Sequence, residues 1–306
     1  MTKIPYKLHH FGLLCADTAK SRQFYQEVMQ LEVLAQFYEA GAYDLAFLSG
    51  GSSLLLELVG PPFSAGEETF IAKRGHALHH IALETPDVDT AFAELTQNGL
   101  QVAWEPDTFE FVRHCAVYDL NGNVVEILQE LGPLPKVTQF GNVEYQIHHP
   151  CLLSESWQET IAFYERHFGF MSPFQYIYKH GGAFVYLVDS FFDPDSHYAM
   201  LEIIGKPYEE AREFEFAEKY GTGMDHAGFL VQDVDAAYRN ALARGSGDFL
   251  PPYTDYGTAM CWIQDADGND LELMLPLPID KLRTAFQSGI PYRPAYGEGG
   301  RLATKE

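Results

Sequence analysis

The 306-residue sequence predicts an α+β fold in which a unit of strand, helix and further strands recurs four times, grouped as two tandem halves. Three observations carry that prediction. Four polar positions, His10, Glu57, His80 and Glu126, are matched by a second set, His149, Glu202, His226 and Glu272, at offsets of 139, 145, 146 and 146 residues. One insertion of about six residues between His149 and Glu202 accounts for nearly all the difference. Each histidine sits in a short apolar run, and an amphipathic stretch follows every run.

The opening runs are LHHFGLL, LHHIALE, IHHPCLL and DHAGFLV, which read as half-buried strands. Side chains alternate faces along a strand, so His10, His80, His149 and His226 share one interior. His9, His79, His148 and Asp225 are expected to face the other way. Helices are expected over Thr18 to Leu31 and Ser154 to Phe168, where Phe24-Tyr25 and Phe163-Tyr164 both fall 14 residues after their histidine. DVDTAFAELTQNG and DVDAAYRNALARG begin 7 residues after His80 and His226, each with Asp at the N-cap and Gly at the end. The later strands carry acids inside apolar runs: Glu57 in SSLLLELVG, Glu202 in YAMLEIIG, Glu126 in GNVVEIL and Glu272 in GNDLELM. The last two follow the turns DLNG and DADG. Such an acid is costly to bury unless something pairs with it. Two prolines mark a linker at 133–146, separating domains at 6–132 and 147–276. The Gly-rich tail, 277–306, is expected to be a loosely packed extension.

A 46% apolar content supports a large core, and at this length two domains. No run of about 18 apolar residues and no cationic leader are visible, so the expected address is the cytosol, away from any membrane. Cys15, Cys115, Cys151 and Cys261 are scattered and read as reduced core thiols. A formal charge of −23 opposes binding to phosphate backbones, which excludes nucleic acid as the expected partner.

Two imidazoles and two carboxylates converging in one cavity make a mixed N/O site for a divalent first-row ion, with Zn, Ni, Co, Mn and Fe all open. A lone histidine on an apolar strand is more often a satisfied core group. Four positions at intervals of 47, 23 and 46 residues in one half, and 53, 24 and 46 in the other, are not explained that way. All eight residues are therefore candidate metal ligands. Glu57, Glu126, Glu202 and Glu272 are also candidate catalytic bases beside a small oxygenated substrate that the ion polarises.

The HxGL-like runs, the helix bearing FY, the ELVG and EIIG strand ends and the final D-x-x-G-N-x-x-E strand resemble the vicinal oxygen chelate (VOC) superfamily. That superfamily includes glyoxalase I, methylmalonyl-CoA epimerase, type I extradiol dioxygenases and the fosfomycin and bleomycin resistance proteins. The resemblance covers roughly residues 6 to 275 and implies four βαβββ modules, forming two tandem domains with cupped mixed sheets. It implies the His-Glu-His-Glu pattern of the isomerase and lyase branches in both halves. It equally implies an alternative: a dioxygenase triad of His149, His226 and Glu272, with iron in the C-terminal half and Glu202 surplus. A third reading is a ligand-binding protein without chemistry, like the bleomycin-resistance modules. The expected partner is a small molecule, with a homodimer left open.

The acid at the second position is the discriminator, because a fourth anionic ligand occupies a place that a dioxygenase leaves for substrate or O₂; the reading favoured is a metal-dependent isomerase, epimerase or lyase. LEVLAQFYEAG and ELVGPP lack the cationic and Asn-Trp-Gly-like features expected for glutathione. Only Lys73 and Arg74 follow Glu57 before His80, which argues against a CoA ester. Pro150 removes a ladder N–H beside His149, a change tolerated chiefly on edge strands and expected to distort that site. His114, Tyr253, Tyr256 and Trp262 are lesser candidates for lining a pocket, and Arg113 for holding a carboxylate, although packing and solvation explain each more simply.

Overall fold

A computed structural model describes residues 5–40, 43–109, 112–132, 144–193, 197, 199–208, 211–255, 258–276 and 279–293. The first half runs β1 (Lys7–Leu14), α1 (Thr18–Glu27), β2 (Glu32–Glu39), β3 (Tyr43–Ser49), β4 (Leu55–Gly60), α2 (Ala65–Arg74), β5 (Leu78–Glu84), α3 (Val88–Gln97), β6 (Val102–Phe109), β7 (Val112–Tyr118) and β8 (Val124–Glu130). The second repeats it: β9 (Gln146–Ser154), α4 (Trp157–Phe168), β10 (Met171–Ile177), β11 (Ala183–Val188), β12 (Leu201–Gly205), α5 (Ala211–Tyr220), β13 (Gly223–Leu230), α6 (Val234–Ala243), β14 (Gly247–Asp255), β15 (Thr258–Gln264) and β16 (Asp270–Met274). α7 (Ile279–Ser288) follows.

Each half is one eight-stranded mixed sheet, ordered β2-β3-β4-β1-β5-β8-β7-β6 and β10-β11-β12-β9-β13-β16-β15-β14. The module seams are the antiparallel pairs β1·β5 and β9·β13, and each opening strand pairs in parallel with the last strand of its own module. These are the two tandem domains of four βαβββ modules that the repeat predicts.

Local chemistry sets the helix ends. Asp87 and Asp233 cap α3 and α6 by accepting from Thr90 N–H and Ala236 N–H, and Gly99 and Gly245 leave them at positive φ. α1 stops at Glu27 rather than Leu31, because Gln30 takes a left-handed backbone at φ 53°. α4 starts at Trp157 rather than Ser154, because Ser156 is its N-cap. α2 and α5 were not expected. α2 buries no residue and so shows no apolar stripe, but a Ser64/Glu67 capping box marks its start. Within the expected loose extension, 279–293 is packed instead: in α7, Leu282 is fully buried, and Tyr292 beyond it exchanges backbone hydrogen bonds with β10, while residues 277–278 and 294–306 lie outside the described residues. Residues 133–143 of the expected linker lie outside the described residues.

The inserted residues fall mainly between β11 and β12, where the buried Asp189 accepts from Leu8 N–H at 2.6 Å and pairs with His197 at 2.8 Å. All four cysteines are buried and free. Among the described residues no helix is long and apolar enough to cross a membrane.

One apolar core joins the halves, with Leu13, Leu58 and Ile127 in the same cluster as Leu152, Ile203 and Phe229. Two reciprocal hydrogen bonds lie within it. The Tyr25 hydroxyl donates to Asp265 Oδ2 at 2.9 Å, and the Tyr164 hydroxyl donates to Asp119 Oδ2 at 3.0 Å. Each Asp also accepts from N–H groups of its own D-x-x-G-N turn, so each FY helix secures the other half's turn. Tyr164→Phe should therefore lower unfolding free energy by about 1–3 kcal/mol, read by urea titration; an unchanged midpoint would show that the bond is not needed.

Candidate metal centres

β1 and β5 each turn one histidine to the inner face of the first sheet, and β4 and β8 place their acids opposite Gly12 and Ala82 of those strands. Four buried side chains converge. His10 Nε2 lies 3.2 Å from His80 Nε2. Glu57 Oε2 is 3.3 Å from His10 Nε2 and 3.1 Å from His80 Nε2; Glu126 Oε2 is 3.3 and 3.6 Å from the same atoms. In the second half His149 and His226 Nε2 are 3.4 Å apart, Glu202 Oε2 is 3.3 and 3.2 Å from them, and Glu272 Oε2 is 3.5 and 4.0 Å. The structure thus brings together all eight residues expected from sequence.

This donor set fits a divalent ion. Atoms about 2.1 Å from one centre stand about 3.0 Å apart at right angles and about 3.4 Å apart at the tetrahedral angle; the His–His, Glu57 and Glu202 contacts fall in that range, and those of Glu126 and Glu272 reach 3.6 and 4.0 Å. In each half three of the four, His10, His80 and Glu126 or His149, His226 and Glu272, have ligand atoms within 4.8 Å of one another.

The doublet residues correct their sequence reading. Where the β1·β5 and β9·β13 ladders shift register, His9, His79 and His148 do not turn away. Their Nδ1 atoms lie 2.8, 3.1 and 2.7 Å from Nδ1 of His10, His80 and His149. Asp225 Oδ2 takes the same place 2.9 Å from His226 Nδ1. An imidazole that keeps its Nε2 lone pair for a metal carries its proton on Nδ1, and each of the four has an acceptor there. Arg212 of α5 bonds Asp225 and lies 4.1 Å over the Trp262 ring, whose edge meets His226 at 4.7 Å between centroids. The HH doublets were the available signal for three of these partners. No spacing pointed to Arg212.

Burial disfavours charge on His10, but Glu57 and Glu126 outweigh it and hold the group up at about 9. Burial would raise Glu57, yet His10 and His80 hold it down at about 2. Glu126 and Glu202 are likewise held well below the carboxylate range by their histidines, against burial. His226 is raised to about 9 against burial by Asp225 and Glu202. Burial and the neighbouring His10 or His80 push His9 and His79 down to about 3, so they stay neutral acceptors.

The remaining candidates sort clearly. His114 Nδ1 is 2.5 Å from Glu126 Oε1, on the oxygen turned away from the imidazoles. Trp262 Nε1–H donates to the Tyr253 hydroxyl at 2.9 Å. Arg113 pairs with Asp89 at the surface rather than lining the site, and Tyr256 lies outside the described residues. Pro150 sits on a central strand, not an edge, where the ladder already shifts between Met224 and Ala227; the cluster beside it stays assembled, so the expected distortion is not found.

Paired βαβββ modules that gather histidines and acids on one sheet face define a metal-chelating architecture. The family model described as the Glyoxalase/Bleomycin resistance protein/Dioxygenase superfamily matches residues 7–127 and 146–273, and the chain belongs to that superfamily. The uncharacterized protein YwkD of Bacillus subtilis (strain 168) is 31% identical over 96 residues, spanning 31% of this chain and 73% of that protein. A mutant 4-hydroxymandelate synthase from Streptomyces coelicolor matches with a TM-score of 0.64 at 14% identity, over 89% of this chain and 93% of that one. The Mn(II)-bound glyoxalase from Novosphingobium aromaticivorans matches at 0.60 and 15%, over 90% and 89%. A Pseudomonas 2,3-dioxygenase matches at 0.61 and 14%, over 91% and 96%. These structural likenesses establish the fold.

A Cβ added at Gly12 would stand 2.0 Å from the His80 ring. Gly12→Ala should therefore weaken Mn²⁺ or Zn²⁺ binding at the first centre by about 10–100-fold. Gly66→Ala, whose nearest neighbour is Ser64 Oγ at 3.9 Å, should not change it; equal effects in calorimetric titration would refute the packing argument. Because metal-free His10 keeps its proton up to about pH 9 and a ligand imidazole must shed it, affinity should climb with pH and level near 9. A flat profile in competition titrations would contradict this.

Proposed function

We propose that the chain is a metal-dependent enzyme that polarises a small oxygenated substrate and moves a proton beside it, as an isomerase, epimerase or lyase of the glyoxalase type. The observation that supports this most is the placement of Glu57 and Glu202. Both acids aim Oε2 at both imidazoles of their half, within 3.3 Å, where a facial triad would leave the position to substrate or O₂.

A bound divalent ion supplies Lewis acidity toward a carbonyl or vicinal oxygens. In the first half His10 and His80 would hold it through Nε2 while donating Nδ1–H to His9 and His79. The two acids differ in freedom. Glu126 is held from behind by His114, whereas among the described residues the recorded partners of Glu57 are the two imidazoles. Glu57 is therefore the carboxylate suited to take a proton from substrate carbon and return it, with Glu126 the fixed ligand. The Mn(II)-bound glyoxalase among the structural relatives is consistent with this reading.

The triads His10-His80-Glu126 and His149-His226-Glu272, each able to hold an ion on two imidazoles and one carboxylate, favour an extradiol dioxygenase as a second reading. Protein purified without chelator should carry a first-row metal by elemental analysis, and absence of any metal would sink the proposal. Glu57→Gln should retain metal within about tenfold in affinity yet lose proton exchange into candidate α-hydroxy or α-oxo substrates by about 10²–10⁴. Rapid O₂ uptake by the Fe(II) protein with a catechol would favour the second reading instead.

A further inference from the structure

The duplication allows the two inner faces to be compared position by position. Phe47 and Tyr186 lie opposite the second acid of each set, Glu57 and Glu202, and each packs against the first histidine, with ring centroids 5.3 and 5.2 Å away. From these anchors the ladders match Ala35 with Phe174, Leu45 with Phe184 and Phe37 with Tyr176. On the other wing Ala116 and Trp262 lie opposite Glu126 and Glu272. In every one of these pairs the second half has the larger side chain. The trend reverses at the outer edge strand, where Trp104 matches Leu250.

The consequence is steric. In the second half Phe174, Tyr176, Phe184, Tyr186, Met260 and Met274 form one buried cluster, closed by Leu282 of α7. In the first half Ala35, Phe37, Leu45, Phe47 and His114 are only partly buried. Arg212 and Trp262 fill the wing beside His226, where the first half has Gly66 and Ala116. The cavity left beside the second cluster, lined by Glu202, Arg212, His226, Trp262 and Glu272, is about 30 Å³, room for about one or two waters.

We propose that the two centres do different work: the first is the open, reacting centre, and the second is a closed metal centre that stabilises the fold. Closed sites with a full set of protein ligands are the structural kind, and sites with an open position are the catalytic kind. The proposal rests on metal binding at both clusters as put forward under Proposed function.

The test uses full-length wild-type protein loaded with Mn²⁺. On addition of excess EDTA, one equivalent should leave quickly and one at least about tenfold more slowly. The fast equivalent should be missing in His10→Ala and the slow one in His149→Ala. Acetohydroxamate, a small bidentate oxygen ligand, should alter the Mn²⁺ electron paramagnetic resonance signal of the first centre alone, and loss of the slow equivalent should account for most of the fall in melting temperature. Trp262→Ala, which restores the first half's residue, should speed the slow phase; if His149→Ala does not fold, the wild-type kinetics and this variant still decide. Two equivalents leaving in a single phase, or hydroxamate reaching both centres, would overturn the division while leaving metal binding intact. Failure of both centres to bind Mn²⁺ or Zn²⁺ would overturn the division together with the reading beneath it.

Discussion

Burying two carboxylates and two imidazoles on one sheet face is the constraint on which the rest of each half depends. An unpaired buried charge costs several kcal/mol, whereas one hydrogen bond returns about 1 kcal/mol, so no single neighbour can compensate for such a group. The four side chains must meet one another. This requires two central strands presenting histidines in register, flanked by strands whose acids fall opposite Gly12, Ala82, Cys151 and Gly228. The irregular ladders at β1·β5 and β9·β13 follow from the same demand, since they let consecutive residues of a doublet serve one imidazole.

Most of this was legible in the sequence because duplication turns weak signals into a strong one. An acid in an apolar run or an HH doublet means little alone, but two sets of four at matching spacing identify a fold and its eight converging residues. What escaped detection had no period to show. α2 buries nothing and carries no apolar stripe, and α5 offers the core only partly buried Phe216 and Ala217 beside a buried Glu213, too short a face to stand out. The doublet partners were misplaced by the strict alternation rule, which holds for a regular strand and fails at a register shift. Arg212 depends on tertiary placement of an unexpected helix.

Divergence after the duplication left the eight polar positions in place and changed what surrounds them. Ligand identity and pocket size are separable because they lie on different strands: the acids and histidines occupy the four inner strands, and the residues that set volume occupy the wings. A wing substitution such as Ala116 against Trp262 alters access without touching a donor atom. The same separation explains why the superfamily can be recognised when the reaction is not; the recognisable residues are those that cannot vary independently.

The reciprocal bonds from Tyr25 to Asp265 and from Tyr164 to Asp119 carry a further meaning. A contact in which one patch meets a copy of itself with donor and acceptor exchanged is isologous, the geometry of a two-fold dimer. The chain holds that symmetry inside one polypeptide. Fusion makes the pairing independent of protein concentration, and it also releases the two protomers from identity: a symmetric dimer must make every substitution twice, whereas a fused one can specialise one side while the other continues unchanged.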